Sequence, residues 1–264
     1  MTVIPRTTVE EVLACLEDEF AVFAEAFCRG EYVLWLGSGI SRDVVPGVPV
    51  LLQRMLEFLR VNINDAHPDC RFKKALDEVL DVAGVPDAIR TSVDLSSPVT
   101  TWPALDDITN RLVDRYSSVL NVQVREEAAD FLVWTGLDVP ATYGDPVLEP
   151  DVEHFCVAIL MLEGVVQSAP TTNWDGLVEA AMQQLVGDAD RFLSVVVTAD
   201  DFRASGHQAE LVKFHGCAVR AAADEGKYRS RLIARTAQIS GWTTKPENEL
   251  RVLHLTGVAS GGGM

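Results

Sequence analysis

The chain has 264 residues, 48% of them hydrophobic and 23% charged, which excludes a disordered segment and is long enough to bury a sizeable core. Its formal net charge of −17 leaves no basic surplus to neutralise phosphates, which argues against direct nucleic-acid binding. No apolar run approaches the ~20 residues of a membrane span, and no secretory signal follows Met1.

Thr7 or Thr8 can cap a first helix, with Glu10 or Glu11 three residues on as capping-box partner. Val12, Leu13, Leu16, Phe20, Phe23 and Phe27 then recur at helical spacing until Gly30. Tyr32–Leu36 is short, continuously apolar and bounded by glycine, which predicts a buried parallel strand. Beyond Gly37-Ser38-Gly39-Ile40-Ser41 and a turn at Pro46–Pro49, Leu51, Leu52, Met55, Leu56 and Leu59 mark another helix. Strand signals are weak from about Asn64 to Pro150, where Phe72–Val82, Trp102–Leu120 and Glu126–Trp134 read as amphipathic helices. They predict a helical insertion or layer over roughly 64–150.

An alternating pattern then resumes: helix Val152–Glu163, strand Val165–Ala169, helix Leu177–Leu185, strand Phe192–Thr198 and strand Leu211–Phe214. Val252–Thr256 reads as one more strand and Ala259–Met264 as a flexible tail. The fold class expected is α/β, a Rossmann-like parallel sheet flanked by helices, forming with the helical layer a single domain over 1–264. Cys15, Cys28, Cys70, Cys156 and Cys217 are odd in number, scattered and without a Cys-x-x-Cys pair. That argues against a disulfide scaffold or a zinc ribbon, so a reducing cytoplasmic setting is expected and no metal.

Three short polar stretches each follow an apolar run: Gly37–Ser41, Thr171–Asp175 and His215-Gly216. In an open α/β sheet, ligands bind beyond the carboxyl ends of strands, so the three can converge on one crevice. Gly37 and Gly39 would let backbone N–H groups approach a phosphate, with Ser38 and Ser41 as hydroxyl donors; a tight turn alone would use the same glycines. Arg42 stands where a third Rossmann glycine would, and no Gly-Lys-Ser/Thr follows, so neither familiar phosphate loop is complete. Asn173 offers donor and acceptor for a ribose hydroxyl or a water, and Asp175 can accept from an amide. Thr172 or Asn173 equally suits a helix cap. His215, between an apolar strand and Gly216, can act as a neutral base, whereas His67, His154, His207 and His254 read as structural. Cys217 reads as a buried or incidental thiol. Asp200 and Asp201, past the strand ending at Thr198, are candidates for a second ribose. Lys227, Arg229, Arg231 and Arg235 form a local basic run that reads as a solvated face or a small-anion contact.

The ordered set resembles the sirtuin family. Gly37–Ser41 with Gly47-Val48-Pro49 is similar to its cofactor loop, Thr171–Asp175 to its Thr-Gln-Asn-Ile-Asp, and Lys213–Gly216 to the His-Gly carrying its catalytic histidine. The Thr-Thr-Asn-Trp-Asp and Lys-Phe-His-Gly-Cys forms look closer to sirtuin-like domains of bacterial antiphage systems than to histone deacylases. Two departures stand out: no cysteines for the zinc ribbon of deacylating sirtuins, and Val50-Leu51-Leu52 in place of the loop's Pro-x-Phe-Arg continuation. The resemblance implies NAD+ as substrate, cleaved by water to nicotinamide and ADP-ribose in an NAD-depleting antiviral effector. It implies Asn173 and His215 as catalytic residues and Gly37, Ser38, Gly39, Ser41, Thr172 and Asp175 as NAD+-binding ones. Restraint by self-assembly or by a separate regulatory or sensor protein is expected. The alternatives are an NAD-dependent protein deacylase or ADP-ribosyltransferase, and an inactive NAD- or ADP-ribose-binding scaffold.

Overall fold

The computed structural model describes residues 7–144, 148–204, 209–244 and 248. The predicted strand at Val252–Thr256, the tail beyond it and His207 lie outside those residues. The chain opens with α1 (Val9–Glu17) and α2 (Ala21–Cys28). Thr8 caps α1 through a capping box with Glu11, as the sequence predicts. The single helix expected from Val12 to Phe27 is broken. Glu17, Asp18 and Glu19 stand together where the helix dipole is negative, no basic residue occupies the last turn, and Asp18 leaves helical geometry.

A helical layer follows: α3 (Val48–Val61), α4 (Arg71–Val82), α5 (Asp87–Arg90), α6 (Leu105–Asp114), α7 (Tyr116–Val119) and α8 (Val139–Tyr143). All five apolar residues that mark α3 in the sequence (Leu51, Leu52, Met55, Leu56, Leu59) are buried there. The layer therefore begins about a helix earlier than expected. The helix expected over Trp102–Leu120 breaks at Arg115, whose guanidinium reaches the Val82 carbonyl oxygen ending α4 at 3.0 Å. The one expected over Glu126–Trp134 is mostly turns, followed by a short π-helix at Leu132–Gly136.

The remainder alternates: α9 (Val152–Leu162), β1 (Ser168–Thr171), α10 (Leu177–Val186), β2 (Leu193–Val196), α11 (Ala199–Ala204), β3 (Ala209–Lys213), then α12 (Ala218–Ala223), α13 (Glu225–Tyr228) and α14 (Thr236–Ile239). The strands form a parallel sheet of order β1-β3-β2. The protein is thus mixed α/β with a small sheet. β1 starts later than expected because Gly164 (φ +72) and the 3.1 Å bond from Val166 N–H to Leu160 O close α9 with a turn that consumes the first apolar residues.

Tyr32–Leu36 is not the buried strand its composition predicts. Only Leu36 pairs, in a parallel bridge to Thr171, and Tyr32, Val33 and Trp35 are exposed. Pro170 supplies the reason. Leu36 N–H donates to Pro170 O at 2.9 Å, and the rung before it in a parallel ladder would need the N–H that proline lacks.

Two apolar clusters hold the described residues together. One gathers α3, α4, α6 and the π-helix with Ala218, Ala221, Leu232 and Ala234. The other packs α9 and α10 on the sheet through Leu36, Ala158, Met161, Ala181, Met182 and Leu211. Among the described residues, no helix is long and apolar enough to cross a membrane.

Candidate functional site

Sheet register sets the site. Leu36 lies opposite Thr171, and Thr171 opposite Lys213, in one line across neighbouring parallel segments. Each of the three polar stretches begins at or just beyond this line. The carboxyl end of the sheet therefore presents all of them on one side.

Hydrogen bonds tie the first two stretches together. Asn173 Nδ2 donates to Gly37 O at 3.1 Å and to Ser41 Oγ at 3.3 Å. Ser41 Oγ donates to Asp175 Oδ2 at 3.0 Å, while Asp175 Oδ1 accepts the Leu177 N–H at 3.2 Å at the start of α10. Ser41 is buried, and so is His154, which lies 3.2 Å from its hydroxyl. The tautomer of His154 follows from its other nitrogen. Nδ1 accepts the Asp151 N–H at 3.0 Å, so in the neutral ring Nε2 carries the proton and donates to Ser41. Ser41 thus accepts twice and donates once, fully satisfied at the centre of the cluster. His154, read as structural from the sequence, belongs to this network. The signal was its place three residues after the capping Asp151.

His215 stands at the end of β3 on a rigid support. Phe214 N–H donates to Thr171 O at 3.2 Å as the last rung of the sheet. Gly216 then turns at φ +94, where a Cβ would lie 2.6 Å from Arg231 O, so only glycine fits. The His215 carbonyl oxygen accepts from Trp174 Nε1 and from Ile233 N–H, both at 2.9 Å. Its half-buried ring meets Phe214 edge-on, with centroids 4.8 Å apart. His215 is thus joined to the second stretch through Trp174, while Gly37, Ser41, Asn173 and Asp175 are joined directly. Thr172 is half-buried and takes no part in these bonds.

Gly37, Ser38 and Gly39 are exposed, and a Cβ on either glycine would meet nothing within 4 Å. Gly37 has φ −116, which any residue adopts. The fold itself therefore does not require glycine at 37 or 39. Above them is open space, and the pocket at the sheet end, partly open and about 10 Å³ in volume, is too small for a dinucleotide. A larger cavity of about 450 Å³ lies in the helical layer beside His67, Cys70, Arg71 and Arg125, and none of the predicted site residues lines it.

Tyr143 approaches from α8 and packs edge-on against Trp174, with centroids 5.7 Å apart. Burial and the nearby Asp175 carboxylate push its hydroxyl up to about 12, with Arg54 opposing, so it stays a neutral phenol.

The acids after β2 and the basic run have these places in the structure. Asp201 Oδ2 accepts from Val197 N–H (2.9 Å), Thr198 N–H (2.7 Å) and Arg220 (3.0 Å), so it closes the turn after β2 rather than facing a ribose. Asp200 is exposed. In the basic run Lys227 is exposed, in keeping with a solvated face, whereas Arg229 and Arg235 are engaged within the protein. Arg229 grips Asp130 with two bonds of 2.8 Å and pairs with Glu225, and Arg235 donates to Ala129 O at 3.0 Å. Cys217 is buried, as read from the sequence. Among the described residues, no group of three or more His, Cys, Asp or Glu could hold a metal ion. No protein-family model and no curated protein matches this sequence.

Proposed function

We propose that the chain is a sirtuin-like NAD+ glycohydrolase on a Rossmann-like sheet, cleaving the nicotinamide–ribose bond to give nicotinamide and ADP-ribose. One observation carries the reading. The Gly37–Ser41 loop, the Asn173–Asp175 stretch and His215 follow three adjacent parallel segments in register at one sheet end. Glycines that the fold does not need, under open surface, suit close approach of a pyrophosphate to backbone N–H groups. The dinucleotide would lie across this exposed face, with His215 and its aromatic neighbours at the nicotinamide end.

In the reaction, the C1′–N bond breaks and its electron pair goes to the pyridinium nitrogen, which leaves as neutral nicotinamide. Water oxygen bonds to C1′ of the cationic sugar, and His215 takes the proton. Asn173 holds the loop with its amide N–H groups, so its part in catalysis is to position the phosphate cradle. NAD+ depletion in antiviral defence, with restraint by self-assembly or a partner protein, follows from the resemblance and is proposed with it.

A second reading, an inactive NAD- or ADP-ribose-binding scaffold, is favoured by the internal engagement of Asn173 Nδ2 and of both Asp175 carboxylate oxygens. Nicotinamide release from NAD+ separates the two. His215→Ala should fall about 10²–10⁴-fold while remaining folded. Asn173→Ala should lose rate chiefly through weaker NAD+ binding. Binding of NAD+ without release of nicotinamide, alone or with candidate partner proteins, would establish the scaffold instead.

A further inference from the structure

Beneath the site lies a charge for which the cleavage chemistry has no use. Lys213 ends β3, is 1% exposed, and has three ammonium N–H donors to place. Three segments supply acceptors: the Asp175 carbonyl oxygen after β1, Glu179 Oε1 on α10 at 2.5 Å, and Cys217 Sγ beyond His215 at 3.6 Å. Burial works against the charge, but Cys217, Glu179 and Asp175 outweigh it and hold the ammonium above the ordinary lysine range.

Beside this ion pair is the cavity of about 10 Å³, whose lining includes Asn173, Asp175, Glu179 and Lys213. Roughly 10–15 Å³ is room for one water molecule. Two buried atoms on its lining residues, Asn173 Oδ1 and Glu179 Oε2, have no hydrogen-bond partner among the described residues. Both are acceptors, and a water molecule brings two donors. Asn173 cannot relieve its oxygen by turning its amide over, because Gly37 O, which can only accept, already faces Nδ2. The ammonium beside the cavity also opposes a cation within it.

We infer that one water molecule, held between Asn173 Oδ1 and Glu179 Oε2 and backed by the Lys213–Glu179 pair, fixes the Asn173 amide and thereby the Gly37–Ser41 loop. Glu179 and Lys213 are positioning residues. They act on the site through Asn173, and the ligand of the cavity is water. Only the consequence for turnover rests on the NAD+ reading.

Two measurements on the full chain test this: a high-resolution crystal structure of the wild type, and backbone amide exchange in wild type, Glu179→Leu and Glu179→Gln. The crystal should show a water within hydrogen-bond distance of both orphan oxygens. In Glu179→Leu, the amides of Val44 and Val45, which donate to Ser41 O, should exchange at least about tenfold faster while α4 keeps its rates. Glu179→Gln, whose Oε1 can accept from Lys213 while its Nε2 donates to a water that still donates to Asn173 Oδ1, should restore slow exchange. A dry cavity, unchanged loop exchange in Glu179→Leu, or equal acceleration of loop and α4 would each overturn the inference. Neither readout needs turnover. A wild type that releases no nicotinamide, alone or with candidate partner proteins, would therefore sink the cleavage reading and leave this one to stand or fall separately.

Discussion

Glycines in this chain serve opposite ends, and single substitutions distinguish them. Gly216 combines φ +94 with a backbone 2.6 Å from where a Cβ would sit, so Gly216→Ala must displace the 231–232 segment. A loss of about 2–4 kcal/mol is expected from urea denaturation, with His215 moved as a consequence. Gly37 and Gly39 have neither positive φ nor a crowding neighbour. Gly37→Ala and Gly39→Ala should therefore change stability by less than about 0.5 kcal/mol. If the loop cradles a pyrophosphate, the same two variants should raise KM for NAD+ at least about tenfold, a cost of roughly 1.4 kcal/mol in binding. Unchanged kinetics in both would reduce the loop to a simple turn.

At the scale of elements, the sequence was legible where burial is one-sided and misleading where pairing depends on a distant residue. The α3 stripe and the Thr8 capping box could be read directly, since both are local patterns. Tyr32–Leu36 could not, because what limits its pairing is Pro170, a residue far along the chain. The three polar stretches were found from their positions after apolar runs. The link from His154 to Ser41 arises only when α9 meets the Gly37–Ser41 loop, although its place three residues after Asp151 is a local signal, and the role of Lys213 arises only when β3 meets α10. Asp201 could be read only as a candidate, because acids that close turns and acids that bind riboses look alike in sequence. Its carboxyl is held below the usual range. Burial opposes the charge, but the amides of Val197 and Thr198 and the Arg220 guanidinium prevail. With the folded pKa depressed, its contribution to stability is complete above its unfolded value of about 3.9 and is lost as pH falls through the lower folded value. Asp201→Asn should accordingly lower the urea midpoint near neutrality and flatten its decline below about pH 4. Parallel declines in variant and wild type would contradict this.

On the scale of the whole molecule, the chain returns after β3 to the helical layer, where Ala218, Ala221, Leu232 and Ala234 enter the larger core and Arg229 clasps Asp130. The turn at His215 is therefore gripped from both sides, by the sheet before it and the helical core after it. Alanine-rich segments carry little periodic signal, which is why this return was invisible in the sequence. The exposed edge left by the shortened pairing at Leu36 has an optical consequence. Trp35 is 50% exposed and touches the Phe214 ring, which in turn packs on His215, whereas Trp102 is buried in the helical layer. Trp35 is thus a solvent-facing fluorophore at the rim of the sheet end. Acrylamide, being uncharged, can quench it without repulsion from an acidic surface. Occupancy of that rim by NAD+ should shield it, lowering the quenching constant in wild type but not in Trp35→Phe. The molecule thereby reports through its own emission whether anything has settled on that face, before any bond is broken.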